Sequence, residues 1–252
     1  MQRKNIEKEA LQIIQRSLYC KDLGLYRHSL LTADIASHVV KNSGVNFGYT
    51  ASQAYAAGIL HDVGKLCVSS NILDKKESLT SREWEVVKRH PVWGYEYVQG
   101  TVLEEYGEVI LLHHEKADGT GYPLLAKNEN IADTVRLVAL ADQLAAFLDN
   151  RPYRRRITHF GLVCREIRVI AAGLFAGHVL DAIIVALRGF VVDWINKSRD
   201  ERQAFSSQEV VLVQCLHPDD AKGCGHGSCQ QMVPDGQAML SSKIIPGLMA
   251  NA

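Results

Sequence analysis

Ala56-Ala57-Gly58-Ile59-Leu60-His61-Asp62 is an apolar run that ends on two ionisable side chains, with Gly64-Lys65 just beyond. Small and branched apolar residues in succession are what a packed helix buries, so a histidine and a carboxylate at its end are out of place. The pattern recurs. Val109-Ile110-Leu111-Leu112 leads into His113-His114, and Val135-Arg136-Leu137-Val138-Ala139-Leu140-Ala141 leads into Asp142. Asp142 shares a helical face with Ile131, Val135, Val138 and Ala145, and His28 shares one with Leu31, Ile35 and Val39. A lone carboxylate on such a face costs several kcal/mol unless it is paired, hydrogen-bonded or bound to a metal.

Working outward, the pattern is helical almost throughout. Ile6, Ala10, Ile13 and Ser17 mark a short first helix, and Leu31, Ile35 and Val39 a second that ends near Asn42-Ser43-Gly44. A third runs from about Ser52 to Val63 and stops at Gly64. Thr80 with Glu83 is a capping box, opening a helix that must end around His90 because Pro91 follows. Further helices fit 94–99, 103–114, 131–148, 158–173 and 178–197. Gly119, Gly121 and Pro123 make 117–130 a turn-rich loop. Only Val210-Val211-Leu212-Val213 fits a strand as well as a helix. The fold class expected is all-α. Three parts are read: an N-terminal helix over 1–20 that packs on the domain, the main domain over 21–197, and an irregular extension over 198–252.

The 252 residues carry 28 basic and 28 acidic side chains, which cancel. A neutral chain gives no argument for a nucleic-acid polymer or an anionic membrane as partner, so an anionic substrate must be held by a local cluster or by metal. No apolar signal segment opens the chain, and the longest apolar stretch, from Val169 to Leu180, is far short of the roughly 20 residues that span a bilayer. A cytoplasmic enzyme is therefore expected, with Cys20, Cys67 and Cys164 as reduced core cysteines.

Each polar residue has an ordinary explanation when taken singly. One histidine on an apolar face is commonly a satisfied core residue, and Asp142 could cap a helix or pair with an arginine. Jointly they are harder to dismiss, because five histidines and two aspartates sit at helix ends or on inward faces. Neutral imidazole with carboxylate is the ligand set of Fe, Mn or Zn, whereas Mg or Ca would take more oxygen.

His61-Asp62 with Gly64-Lys65, then His113-His114-Glu115, then Asp118-Gly119-Thr120-Gly121-Tyr122-Pro123, resembles the HD-GYP branch of the HD phosphohydrolases. His28-Ser29, Lys88-Arg89-His90-Pro91, Asp142 and Arg151-Pro152-Tyr153-Arg154 match in order, so the resemblance covers about residues 20–190. It implies an all-helical bundle that hydrolyses cyclic di-GMP to pGpG, or on to GMP, at a cluster of two or three metals. The implied ligands are His28, His61, Asp62, His90, His113, His114 and Asp142. Asp62 would bridge two metals, with His28, His61 and Asp142 on one side and His90, His113 and His114 on the other. Two cations roughly 3.5–4 Å apart lower the pKa of a shared water toward about 7 and offset the charge of the reacting phosphate. Iron is the first expectation for the metal and manganese the second.

Lys65 would meet the scissile phosphate, although alone it reads as a surface lysine. Gly119 and Gly121 permit left-handed or close-approach backbone, Tyr122 and Pro123 offer an apolar edge to base or ribose, and Arg151 and Arg154 suit phosphate or guanine. Arg151 to Arg156 also reads as a solvated basic run. The chain departs from the family where trinuclear members carry a glutamate one turn before the first ligand histidine. That position is Gly24, which favours two metals and leaves the end product open. Residues 173–181 also lack the usual Phe-Asp-Pro. Other readings are an HD hydrolase for a different cyclic dinucleotide or another nucleotide, or a non-catalytic cyclic di-GMP receptor; a homodimer or a regulatory protein partner stays open. Cys215, His217, Cys224, His226 and Cys229 could hold a tetrahedral zinc or be incidental in a loop.

Overall fold

The computed structural model describes residues 2–127, 130–149 and 159–197. Arg151 and Arg154, the Val210–Val213 segment, the C-terminal Cys/His cluster and the boundary read at residue 198 lie outside the described residues. Among those described, the fold is a helical bundle without a strand, as the periodicity predicts; Asp118 and Lys127 form one isolated antiparallel bridge. No described helix is long and apolar enough to cross a membrane.

Two long helices open the chain, α1 (Gln2–Lys21) and α2 (Leu23–Asn42). Asp22 divides them because its carboxylate accepts the Leu25 N–H and caps α2. The first helix is fastened from outside: Ile14 and Leu18 are buried, and Tyr106 donates to Glu7 at 2.6 Å. Cys20 lies exposed, and Cys67 and Cys164 are half-buried, so none is the core cysteine expected.

The centre is α2 packed on α3 (Ala51–Leu60) and on the later α8 (Asp133–Leu148). Gly58 makes the first of these contacts possible. A Cβ there would stand 2.4 Å from Ala33 Cα, so any larger residue would drive the two helices apart. The helix expected to run to Gly64 in fact ends at Leu60; His61 and Asp62 form a turn, and Val63–Cys67 is a 3₁₀ segment. Gly64 is therefore no helix stop. It is a packing glycine, since its Cβ would lie 1.9 Å from the His90 carbonyl oxygen.

A single turn α4 (Ser70–Leu73), invisible in the sequence pattern, precedes α5 (Ser81–Val87). The Thr80–Glu83 capping box forms as expected. Pro91 does not end α5, which closes at Val87. It opens α6 (His90–Val98) instead, where a missing N–H costs nothing. A 3₁₀ turn at Glu104–Tyr106 then leads into α7 (Gly107–Leu112), so the helix expected over 103–114 is shorter, and His113 caps its C-terminus. Finally α9 (Phe160–Ile170) and α10 (Gly177–Asn196) close the far side. There Val163, Ile167, Ile183 and Leu187 pack with Leu31, Ile35, Leu140 and Leu144 in one core. The bundle thus sets the ends of α3 and α7, the start of α6 and the middles of α2 and α8 around one point.

Candidate metal centre

The seven histidines and aspartates named from the sequence converge on that point. His61, Asp62, His90 and His113 are at most 2% exposed, and His28 and His114 are half-buried. Asp62 sits in the middle, with one carboxylate oxygen turned to each side. Its Oδ2 lies 3.2 Å from His61 Nε2, while its Oδ1 lies 3.1 Å from His90 Nε2 and 3.8 Å from His113 Nε2. His28 Nε2 meets Asp142 Oδ1 at 2.8 Å, and His61 Nε2 is 3.7 Å from that same oxygen. Two clusters result, each with donor atoms within 4.8 Å of one another: His28, His61 and Asp62, and Asp62, His90, His113 and His114.

The local backbone decides which imidazole nitrogens face inward. His61 Nδ1 donates to the Gly58 carbonyl at 2.7 Å, His90 Nδ1 to Val87 at 2.8 Å and His113 Nδ1 to Ile110 at 2.9 Å. In each case the acceptor is three residues back, among the last four carbonyls of a helix, which have no partner within it. A carbonyl only accepts, so each Nδ1 carries the proton and each Nε2 keeps its lone pair for the centre. Backbone hydrogen bonding thus supplies the outer shell that metal-binding histidines require.

The electrostatics agree. Burial, reinforced by His114, His61 and His90, pushes His113 well below its ordinary pKa, and burial chiefly pushes His114 down to about 3. Burial would lower His61 and raise Asp62. Their mutual attraction reverses both, raising His61 and, with Lys65, holding the Asp62 carboxyl well below the carboxylate range. Burial likewise opposes ionisation of Asp142, and the His28 bond outweighs it. Lone pairs on His90 and His113 Nε2 stand 3.3 Å apart, compatible only with a shared positive partner, a proton or a metal ion. His61 Nε2 and Asp62 Oδ1 are buried without any aligned hydrogen bond, a cost of about 1–3 kcal/mol per atom if nothing fills the gap. The residues fit a divalent cation.

Lys65 Nζ bonds Asp62 Oδ2 at 2.6 Å and stays partly open to solvent. The Gly-Tyr-Pro loop folds across the other cluster. Gly119 is left-handed (φ 76°), and Gly121 presses so close that a Cβ would lie 2.4 Å from Glu115 Cα. Tyr122 donates its N–H to the His114 carbonyl at 3.3 Å, and its ring stacks on the His114 ring at 4.7 Å.

Glu115 received no role from the sequence beyond membership of a motif. Only 5% exposed, it accepts the N–H of Leu124 at 2.6 Å and of Ala126 at 2.9 Å, tying the far limb of the loop to the end of α7. Burial pushes its pKa up, and the backbone N–H groups pull it part of the way back. In Glu115→Gln one acceptor becomes an NH₂ facing an N–H. Losing a charge-assisted bond of about 1.5–3 kcal/mol is expected to increase proteolytic nicking of 116–126 roughly tenfold or more, with metal stoichiometry unchanged. A loop that resists protease as before would remove this anchoring role.

The chain is similar to known proteins in sequence and in fold. The cyclic di-GMP phosphodiesterase of Thermotoga maritima is 28% identical over 77% of this chain and 52% of its own. The cyclic di-GMP phosphodiesterase response regulator RpfG of Xanthomonas campestris is 34% identical over 60% of this chain and 41% of its own. The chain thus spans about half the length of these curated relatives or less. In fold it is similar to the HD domain of L. monocytogenes phosphodiesterase PgpH, solved with cyclic-di-AMP. The TM-score is 0.54 at 14% identity, over 73% of this chain and 98% of that one. The HD domain family model matches residues 24–161. That match takes in more than half of the sequence and all seven converging side chains, so the chain belongs to the HD-domain family.

Proposed function

We propose that the chain is a metal-dependent phosphodiesterase of the HD-GYP branch, hydrolysing cyclic di-GMP to pGpG with two divalent cations, iron first and manganese second. The observation that carries this is Asp62, whose two oxygens each face a separate group of histidine nitrogens. The proposed ligands are His28, His61 and Asp142 on one side, His90, His113 and His114 on the other, and Asp62 between. When bound, such cations supply Lewis acidity that activates water and offsets the charge of a phosphodiester.

The chain's own residues do the rest. The ammonium of Lys65, already at the Asp62 carboxylate, is placed to meet a phosphate oxygen. Tyr122, stacked on His114, walls the centre and offers an apolar edge to ribose or base, and Gly121 lets the loop approach that closely. By family resemblance Arg151 and Arg154 would hold phosphate or guanine. Water adds to one phosphorus as a P–O3′ bond breaks, which leaves a linear dinucleotide with a 5′-phosphate. Gly24 offers no donor for a third metal, which supports a two-metal site.

The test is a single-turnover assay on protein purified anaerobically and loaded with Fe(II) or Mn(II), following pGpG and GMP separately, with 3′3′-cGAMP and cyclic di-AMP in parallel. Turnover of cyclic di-GMP to pGpG is expected, and the GMP signal reads whether a second hydrolysis follows. Tight binding without turnover would mean a receptor and would sink the enzyme reading, and preference for another dinucleotide would change the substrate.

A further inference from the structure

Trp84 is the large aromatic side chain of α5, a helix that none of the proposed metal ligands occupies. It stands 45% exposed. A single exposed indole is ordinary on a protein surface; what sets this one apart is its position. Its ring meets Tyr122 edge to face at 6.5 Å and 76°, and Tyr122 in turn lies nearly parallel to His114 at 4.7 Å. His114, Tyr122 and Trp84 thus form an aromatic row leading from the metal centre to the surface. The Trp84 ring is turned almost square to that of Tyr122.

We propose that Trp84 is a stacking platform for a purine base of the substrate. The inference rests on the cyclic-dinucleotide reading above and adds a binding residue to it. A cyclic dinucleotide held by one phosphate at the cation cluster must send its nearer base outward, one ribose away. Two ring spacings separate Trp84 from His114, a comparable reach. The corner between Tyr122 and Trp84 suits a nucleoside, since a base lying flat on the indole would turn its edge and ribose toward Tyr122. Stacking needs only a π-face, and every base has one.

The helix that carries Trp84 is also anchored at its start. Thr80 and Glu83 form the capping box of α5 in the turn that carries Trp84, and both Glu83 oxygens bond Lys75 Nζ at 2.7 and 2.9 Å. The Lys75 ammonium, with Thr80, holds the Glu83 carboxyl down to about 2, so the clamp persists at any pH at which the protein would work. A base landing there meets a ring carried on a firmly started helix, which lowers the ordering cost of binding.

Trp84→Ala and Trp84→Phe are compared with wild type in the metal-loaded full chain. Base–aromatic stacking of the usual strength predicts a KM for cyclic di-GMP raised about 5- to 100-fold in Trp84→Ala, with most of the loss recovered in Trp84→Phe. A phosphodiester joining two tetrahydrofuran (1,2-dideoxyribose) units, which has neither base nor any other π-face, should be hydrolysed as before. Wild-type tryptophan fluorescence should also be quenched on adding a non-hydrolysable cyclic di-GMP analogue, and less so in Trp84→Phe. A KM within twofold of wild type in Trp84→Ala overturns the platform while leaving the phosphodiesterase reading intact. Parallel loss on the base-free diester overturns it too, because it shows a general disturbance of the centre. A wild-type protein that hydrolyses only the base-free diester overturns both readings, and the wild-type arm alone reveals it.

Discussion

An Asp62→Ala protein is expected to lose turnover and metal together. The two donor clusters have only this carboxylate in common, so its removal leaves His90, His113 and His114 as neutral donors without an anion, and His28 with His61 leaning on Asp142 alone. Several kcal/mol of charge stabilisation at the reacting phosphate go with the cations. At 1.36 kcal/mol per tenfold, that is a loss of about 10³-fold or more in kcat. Metal stoichiometry by elemental analysis should fall close to zero. The fold should survive, because Lys65, freed of its partner, can turn to solvent. A folded Asp62→Ala protein that still carries metal and turns over would remove the bridging role. Acid should mimic the substitution. The folded carboxyl is held well below its ordinary 3.8, so its stabilising contribution is complete above that value. It is lost only as pH falls on toward the depressed pKa.

Gly64→Ala should be the most damaging change that touches no ionisable group. The added carbon would lie 1.9 Å from the His90 carbonyl oxygen, 2.8 Å from the His90 carbonyl carbon and 2.6 Å from Gly94 N. All three are backbone, so no side chain can swing aside. The 3₁₀ segment behind Asp62 would have to part from the start of α6, which carries His90. Overpacking of this kind costs typically about 1–3 kcal/mol and occasionally more; the upper end is expected here, with a Tm lower by roughly 6–12 °C. Metal loading should weaken in parallel, since Asp62 and His90 no longer meet. Gly189→Ala is the control. It sits inside α10 with open space around it and should stabilise by about 0.5–1 kcal/mol. Equal effects of the two substitutions would refute the packing argument.

Much of this was legible before any coordinates. The helical periodicity and the Thr80–Glu83 cap could be read from spacing, and the grouping of His28, His61, Asp62, His90, His113, His114 and Asp142 was implied by the family resemblance. What escaped is what depends on contacts between distant segments. Gly64 looked like a helix stop because glycine often is one, and nothing local reveals that His90 O would press on it. Pro91 looked like an end because proline breaks helices, and only the chain's turn at Lys88 shows it to be a start. Thr50 and Gln53 form a second capping box that has the same residue spacing as the first, so that one could have been found. The bonds from Nδ1 to carbonyls three residues back, the Glu115 tie and the Trp84–Tyr122 corner leave no trace in composition or period. They are consequences of a folded shape.

The pairing of His28 with Asp142 joins positions 114 residues apart. Anything that binds both clusters at once therefore acts as a clasp on nearly half the polypeptide. A cross-link restrains the unfolded chain more as the loop it closes lengthens, and a ligand held only by the folded form adds RT ln(1 + [L]/Kd) to stability. In such a protein catalytic competence and structural integrity are drawn from one reservoir. Chelation should then loosen the entire bundle, α1 and α10 included, and not merely silence its centre.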